Sequence, residues 1–136
     1  MADAPYVKGI NALAAAGINL TSDTIKVVAC DSSYTANMSS DQYLSAIDSG
    51  ARIATATLSS KSFTDGVFDA ADPTFTAVAS GDTITQLVIY KDSGSPSTSA
   101  LIWRIDSYTG LPYATDNGDI VLAWPNDANK IFKIGA

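Results

Sequence analysis

Apolar residues in this chain follow two rhythms. Near the start, Tyr6, Ile10, Leu13 and Ala14 recur at helical spacing, with Pro5 suited to a first turn and Gly17 to a helix end. This predicts a short helix over residues 6–16. From Thr24 the period becomes two, the signature of strands. Ile25, Val27 and Ala29 alternate with Lys26, Val28 and Cys30. Ser39-Ser40-Asp41 then offers a cap for one helical turn within 42–47, closed near Gly50. A second strand is expected over 51–58. Asp65-Gly66 is a turn dipeptide ahead of Val67-Phe68, and Asp72-Pro73 marks another break.

The second half is more regular. A strand over 74–78 turns at Gly81-Asp82 into the run 83–91, whose apolar residues lack clean alternation. Both faces of such a run are expected to be covered, which makes it a central strand. The Ser-rich stretch 92–99 reads as a flexible hairpin loop leading into 100–106. In that strand Leu101, Trp103 and Ile105 share one face, with Ile102, Arg104 and Asp106 opposite. A strand over 120–124 and a turn at Asn126-Asp127-Ala128-Asn129 lead to the last strand, 130–134. About seven to nine short strands divided by Gly, Asp, Asn and Pro predict an antiparallel β-sandwich of jelly-roll type. One mainly β domain over 1–136 is expected, with a short N-terminal helix and an N-terminal docking segment at about 1–20.

Composition narrows the chemistry. The chain has 136 residues and no histidine, which removes Ser-His-Asp and Cys-His catalysis, His-ligated zinc and imidazole proton transfer. All 14 acidic residues are Asp, a turn and cap former rather than a helix former. A net charge of −6 with scattered basic residues argues against nucleic acid as partner. No stretch approaches the roughly 20 apolar residues of a membrane-spanning helix. The opening Met1-Ala2-Asp3-Ala4-Pro5 is acidic where a signal peptide is basic, so a mature start made in the cytoplasm is expected. The single Cys30 reads as a small apolar strand residue.

Candidate sites are few. Asp116-Asn117-Gly118-Asp119 resembles part of a calcium loop, but the spacing and terminal Glu of an EF-hand are missing, and Asn-Gly is an ordinary hairpin turn. Asp69 and Asp72 bracket a turn. The glycines form neither a P-loop nor a dinucleotide fingerprint. No catalytic residue, cofactor or metal site is therefore assigned, and an enzyme is not expected. Trp103 and Trp124 fall in alternating strands and read as core. Tyr34 and Tyr43 read equally as core or contact, whereas Tyr108 and Tyr113 flank the Gly110-Leu111-Pro112 turn and suit an exposed contact.

In order along the chain, the segments Leu20-Thr21-Ser22-Asp23-Thr24-Ile25-Lys26-Val27, Asp31 with Ser33-Tyr34, Gly50-Ala51-Arg52-Ile53-Ala54-Thr55 and Asp72-Pro73-Thr74-Phe75-Thr76-Ala77-Val78 carry a resemblance. It continues through Leu87-Val88-Ile89-Tyr90-Lys91-Asp92-Ser93-Gly94, Leu101-Ile102, Ile105-Asp106 and Gly110-Leu111-Pro112 to Trp124, Asn126 and Asn129-Lys130-Ile131-Phe132. The chain resembles a family of small virion structural proteins of tailed bacteriophages, associated with capsid decoration or cement proteins. That resemblance implies a homo-oligomer, a trimer, bound to the major capsid protein on the capsid exterior. Tyr6, Ile10, Tyr108, Leu111 and Tyr113 are the expected interface residues, with the N-terminal segment gripping a neighbour. A tail, baseplate or fibre component and a carbohydrate-binding module for host attachment are the alternatives.

Overall fold

A computed structural model describes residues 3–125 and 130–134, so the turn expected at 126–129 and the first two residues lie outside it. The protein is mainly β, with several antiparallel sheets and one short N-terminal helix. In chain order the elements are β1 (Ala4–Pro5), α1 (Val7–Ala14), β2 (Ile25–Cys30), β3 (Arg52–Thr57), β4 (Ser62–Thr64), β5 (Val67–Asp69), β6 (Thr74–Phe75), β7 (Thr83–Ile84), β8 (Gln86–Lys91), β9 (Leu101–Ile105), β10 (Tyr113–Ala114), β11 (Ile120–Val121) and β12 (Phe132–Lys133). The largest sheet has the order β1-β9-β8-β2-β3. β8 lies at its middle and is buried along nearly its whole length, as its unbroken apolar run requires.

Alternation along β2 and β8 divides the core in two. Ile25, Val27, Ala29, Leu87 and Ile89 face one apolar cluster, completed by Phe68, Phe75, Ile84, Ile120, Leu122, Trp124 and Phe132 from the smaller sheets and their flanks. Val28, Cys30, Val88 and Tyr90 face the other, which Tyr6, Tyr34, Leu44 and Ile47 close. The shared face expected for Leu101, Trp103 and Ile105 does not hold. Ile89 pairs with Trp103 and Tyr90 with Leu101, which leaves Ile102 as an extra residue on β9. This bulge turns Leu101 to the second cluster while Ile102 and Ile105 stay with the first.

Local turn chemistry accounts for several boundaries. Thr64 pairs with Val67, so Asp65-Gly66 is a two-residue hairpin loop with both residues at positive φ (54° and 80°). α1 ends at Ala14, earlier than its spacing suggests. The left-handed residue is Ala16 rather than Gly17, and the Gly17 N–H closes on the Ala12 carbonyl at 2.8 Å, as in a Schellman cap. Pro5 belongs to β1. Within 42–47 only Leu44–Ala46 forms a tight 3-10 turn. Asp41 does not cap it, because its carboxylate accepts instead from the Asn37 N–H and the Tyr34 hydroxyl. The strand expected over 74–78 stops at Phe75, since Ala77 adopts a φ of 48°.

The N-terminal segment docks on its own chain. β1 pairs with β9, placing Ala4 opposite Arg104 and Pro5 opposite Trp103, and the Tyr6 N–H donates to the Ile102 carbonyl at 2.9 Å. Pairing satisfies backbone groups that would otherwise be left open along β9. Of the expected docking segment, Ala4, Pro5 and Tyr6 thus meet their own chain, while Val7 and Lys8 are exposed.

Candidate functional site

Three of the five expected interface residues meet. Tyr108, Leu111 and Tyr113 line one cleft of about 200 Å3, together with Ile84, Ile120, Val121 and Leu122. It sits beside an interrupted antiparallel ladder in which β7 pairs with β10 and β6 with β11. Between these short pairings, Asp82 and Thr115 exchange backbone and hydroxyl bonds, and the Asn117 N–H donates to the Val78 carbonyl. The 108–113 turn closes the other wall, and its Leu111-Pro112 peptide is cis.

The cleft residues differ in what holds them. Tyr108 is half-buried, its ring meets Trp124 edge-on at 6.4 Å, and its hydroxyl accepts from the Ala123 N–H at 2.8 Å. It shapes the wall more than it presents a surface. Leu111 also packs partly against the main core. Tyr113 is 36 % and Val121 61 % exposed, so these two form the accessible apolar rim. Val121 was not among the expected residues. Its signal was period two, since in Ile120-Val121-Leu122 it points away from two buried neighbours.

Tyr6 and Ile10 do not join this cleft. Tyr6 has no exposed surface within this chain. Its hydroxyl and that of Tyr34 share a hydrogen bond of 2.7 Å, and Tyr34 donates onward to Asp41 at 2.8 Å. Burial holds both phenols well above their usual range, so both stay neutral at physiological pH. Replacing Tyr34 by Phe removes the hydroxyl that bonds both Tyr6 and Asp41, and is expected to cost about 1–3 kcal/mol in denaturant unfolding. Tyr6→Phe, which leaves the Tyr34–Asp41 bond in place, should cost less.

Other polar groups are also committed to structure. Gln86 is 2 % exposed; its amide N–H group donates to the carbonyls of Asp31 and Tyr34 at 2.9 Å each, and its Oε1 accepts from Arg104 Nε at 2.6 Å. The Asp116–Asp119 loop is knitted to the turn before β7. Asp119 accepts from the Ala77 N–H at 2.7 Å and Asn117 from the Ser80 N–H at 3.1 Å. These side chains are therefore oriented by backbone donors instead of converging on an ion, and among the described residues no three Asp or Cys residues do converge. The Ser-rich loop before β9 is tied down too, with the Ser99 hydroxyl donating to the Ser95 carbonyl at 2.8 Å.

Cys30 is buried, and that burial, reinforced by the Asp31 charge, pushes its thiol up to about 12. At neutral pH almost none is thiolate, the reactive form. Native protein is expected to resist thiol-specific alkylation for hours, and protein unfolded in denaturant to label completely within minutes. Rapid labelling of the native form would contradict this burial.

A second concavity of about 390 Å3 lies between α1 and the β4–β5 hairpin, lined by Leu13, Ile18, Leu20, Phe63 and Ile134. Nothing in the periodicity of the chain joined these residues. No protein-family model matches this chain, and no curated protein matches it.

Proposed function

We propose that this protein is a structural virion protein of a tailed phage that binds the outer capsid surface as a cement or decoration protein. The carrying observation is the apolar rim of Tyr113 and Val121 over the cleft beside β7, β10 and β11, on a chain whose Gln86 and Asp119 side chains are bonded to its own backbone. Apolar surface presented around a concavity favours a protein partner, because burying it gains free energy without any reacting group. The phage assignment itself rests on the ordered sequence resemblance. Two apolar clusters on opposite faces of the five-stranded sheet support reading the sheets as layers of a jelly-roll-like β-sandwich.

Function is by contact, without catalysis or cofactor. A net charge of −6 suits the outside of a shell better than its DNA-facing lining. Copies of the chain arranged around a lattice point, the trimer included, would add modest contacts into a strong hold on the major capsid protein. The aromatic signal for glycan binding is weaker in this fold. Trp124 is buried, and one face of Trp103 is covered by Phe132 at 4.3 Å and an interplanar angle of 4°.

Tyr113→Ala and Val121→Ser test the reading because both side chains are exposed and leave the core intact. Each is expected to weaken particle binding about ten- to thirty-fold, read as protein retained on purified particles after dilution. Unchanged retention, or label found by microscopy on the tail rather than over the shell, would overturn the proposal.

A further inference from the structure

The segments that build the cleft under Tyr113 and Val121 carry charge of one sign. Residues 72–84 and 106–122 hold Asp72, Asp82, Asp106, Asp116 and Asp119 and neither lysine nor arginine. All eight basic residues of the chain lie outside these two stretches. Asp106 is paired with Arg104 at 3.0 Å, and Asp72 accepts from the Trp124 N–H. Asp82, Asp116 and Asp119 are exposed, and among the described residues none of the three forms an ion pair.

The cleft itself has no charged group in its lining. Its volume of about 200 Å3 falls below the roughly 300–1,000 Å3 of small-molecule pockets. A cleft of that size suits one anchoring side chain of a protein partner. The carboxylates stand close to it. Asp82 is two residues from Ile84 and Asp119 two from Val121, so each is at most about 7 Å of chain away. That is inside the screening length of about 8 Å at physiological ionic strength, so their charge acts on whatever enters. Asp116 follows three residues after Tyr113.

We propose that the cleft receives a basic segment of a protein partner. One large apolar side chain seats between Tyr113 and Val121, and flanking lysines or arginines face Asp82, Asp116 and Asp119. This partner chemistry rests on the docking role proposed above for the same cleft. Exposed ion pairs add little affinity singly, but three carboxylates of one sign steer approach and reject an acidic segment.

The probe is a synthetic peptide, Gly-Lys-Lys-Leu-Lys-Lys-Gly, titrated into the full chain and followed by amide chemical shifts. The signals of Ile84, Tyr113 and Val121 are expected to move. Gly-Asp-Asp-Leu-Asp-Asp-Gly lacks the charge match and Gly-Lys-Lys-Ala-Lys-Lys-Gly lacks the anchor, so each should bind about five-fold more weakly or worse. Asp82→Asn/Asp116→Asn/Asp119→Asn should weaken the lysine–leucine peptide by about five- to ten-fold and remove most of its salt dependence. Asparagine keeps the acceptor oxygens that hold the Ala77 and Gly118 N–H groups, and circular dichroism checks that the triple variant is folded. Shifts absent from those three residues, equal affinity for the aspartate peptide, or a triple variant that binds like the parent would each overturn the proposal. Retention on purified particles separates it from the docking role. Loss of Val121→Ser from particles, with the triple variant held like the parent at every salt concentration, refutes the basic partner and leaves the docking role standing. Unchanged retention of Val121→Ser refutes both.

Discussion

Gly9→Ala is expected to destabilise the fold by about 2–3 kcal/mol or more, read as a lower denaturant midpoint at unchanged slope. Helix propensity alone predicts the opposite sign, since alanine in a helix interior is favoured over glycine by about 1 kcal/mol. The difference comes from packing. Gly9 is the buried residue of α1, and a Cβ there would overlap the Leu101 carbonyl and come within 2.9 Å of Ile102 Cα. Both obstacles are backbone of β9, so neither can rotate away. α1 would have to lift, disturbing the Tyr6 bond to Ile102 and the packing of Ala12 and Leu13 on the first cluster. An alanine variant as stable as the parent would mean that helix and strand do not touch in this way.

Phe68→Ala should have the largest effect of any single truncation, about 3–5 kcal/mol. At that size the melting temperature should fall by about 10–20 °C. Phe68 has no exposed surface and sits on the middle strand of the sheet β12-β5-β4, paired across it with Phe63 and Phe132. Its ring lies 5.1 Å from that of Phe132, which in turn stacks on Trp103 of the five-stranded sheet. A cavity at 68 thus loosens the contact that joins two sheets, and Trp103 emission should shift toward that of solvated indole. Phe63→Ala is the contrast: its side chain is exposed, so its loss removes area without leaving a hole. Calorimetry and tryptophan fluorescence on the two variants measure the difference. Equal losses would place the core elsewhere.

Part of the candidate site could be read from the chain alone. Tyr108, Leu111 and Tyr113 are neighbours around one turn, so local sequence is enough to group them. Val121 and Ile84 join them only through the β6–β11 and β7–β10 pairings, which depend on segments roughly thirty to forty-five residues apart. The surroundings of Tyr6 were illegible for the same reason. Its helical spacing with Ile10 is real, yet whether that face meets a neighbour or its own sheet depends on an open edge at β9, and no residue near Tyr6 signals that edge. Leu101 shows a subtler failure. Strict alternation assigns it a face, and one extra residue opposite Tyr90 reverses the assignment.

By itself the sequence determined the repertoire: mainly strands, one short helix, a two-residue loop at Asp65-Gly66 and a central position for the run in β8. These follow from local sterics and from a side-chain period that each residue imposes on its neighbours. Only the tertiary structure decided which edges closed. β1 covers β9, and the Ala71 N–H closes on Ser59 just past the end of β3. Loop-closure entropy grows so slowly with length that many pairings cost nearly the same, and the choice among them is made by which arrangement buries the most apolar surface.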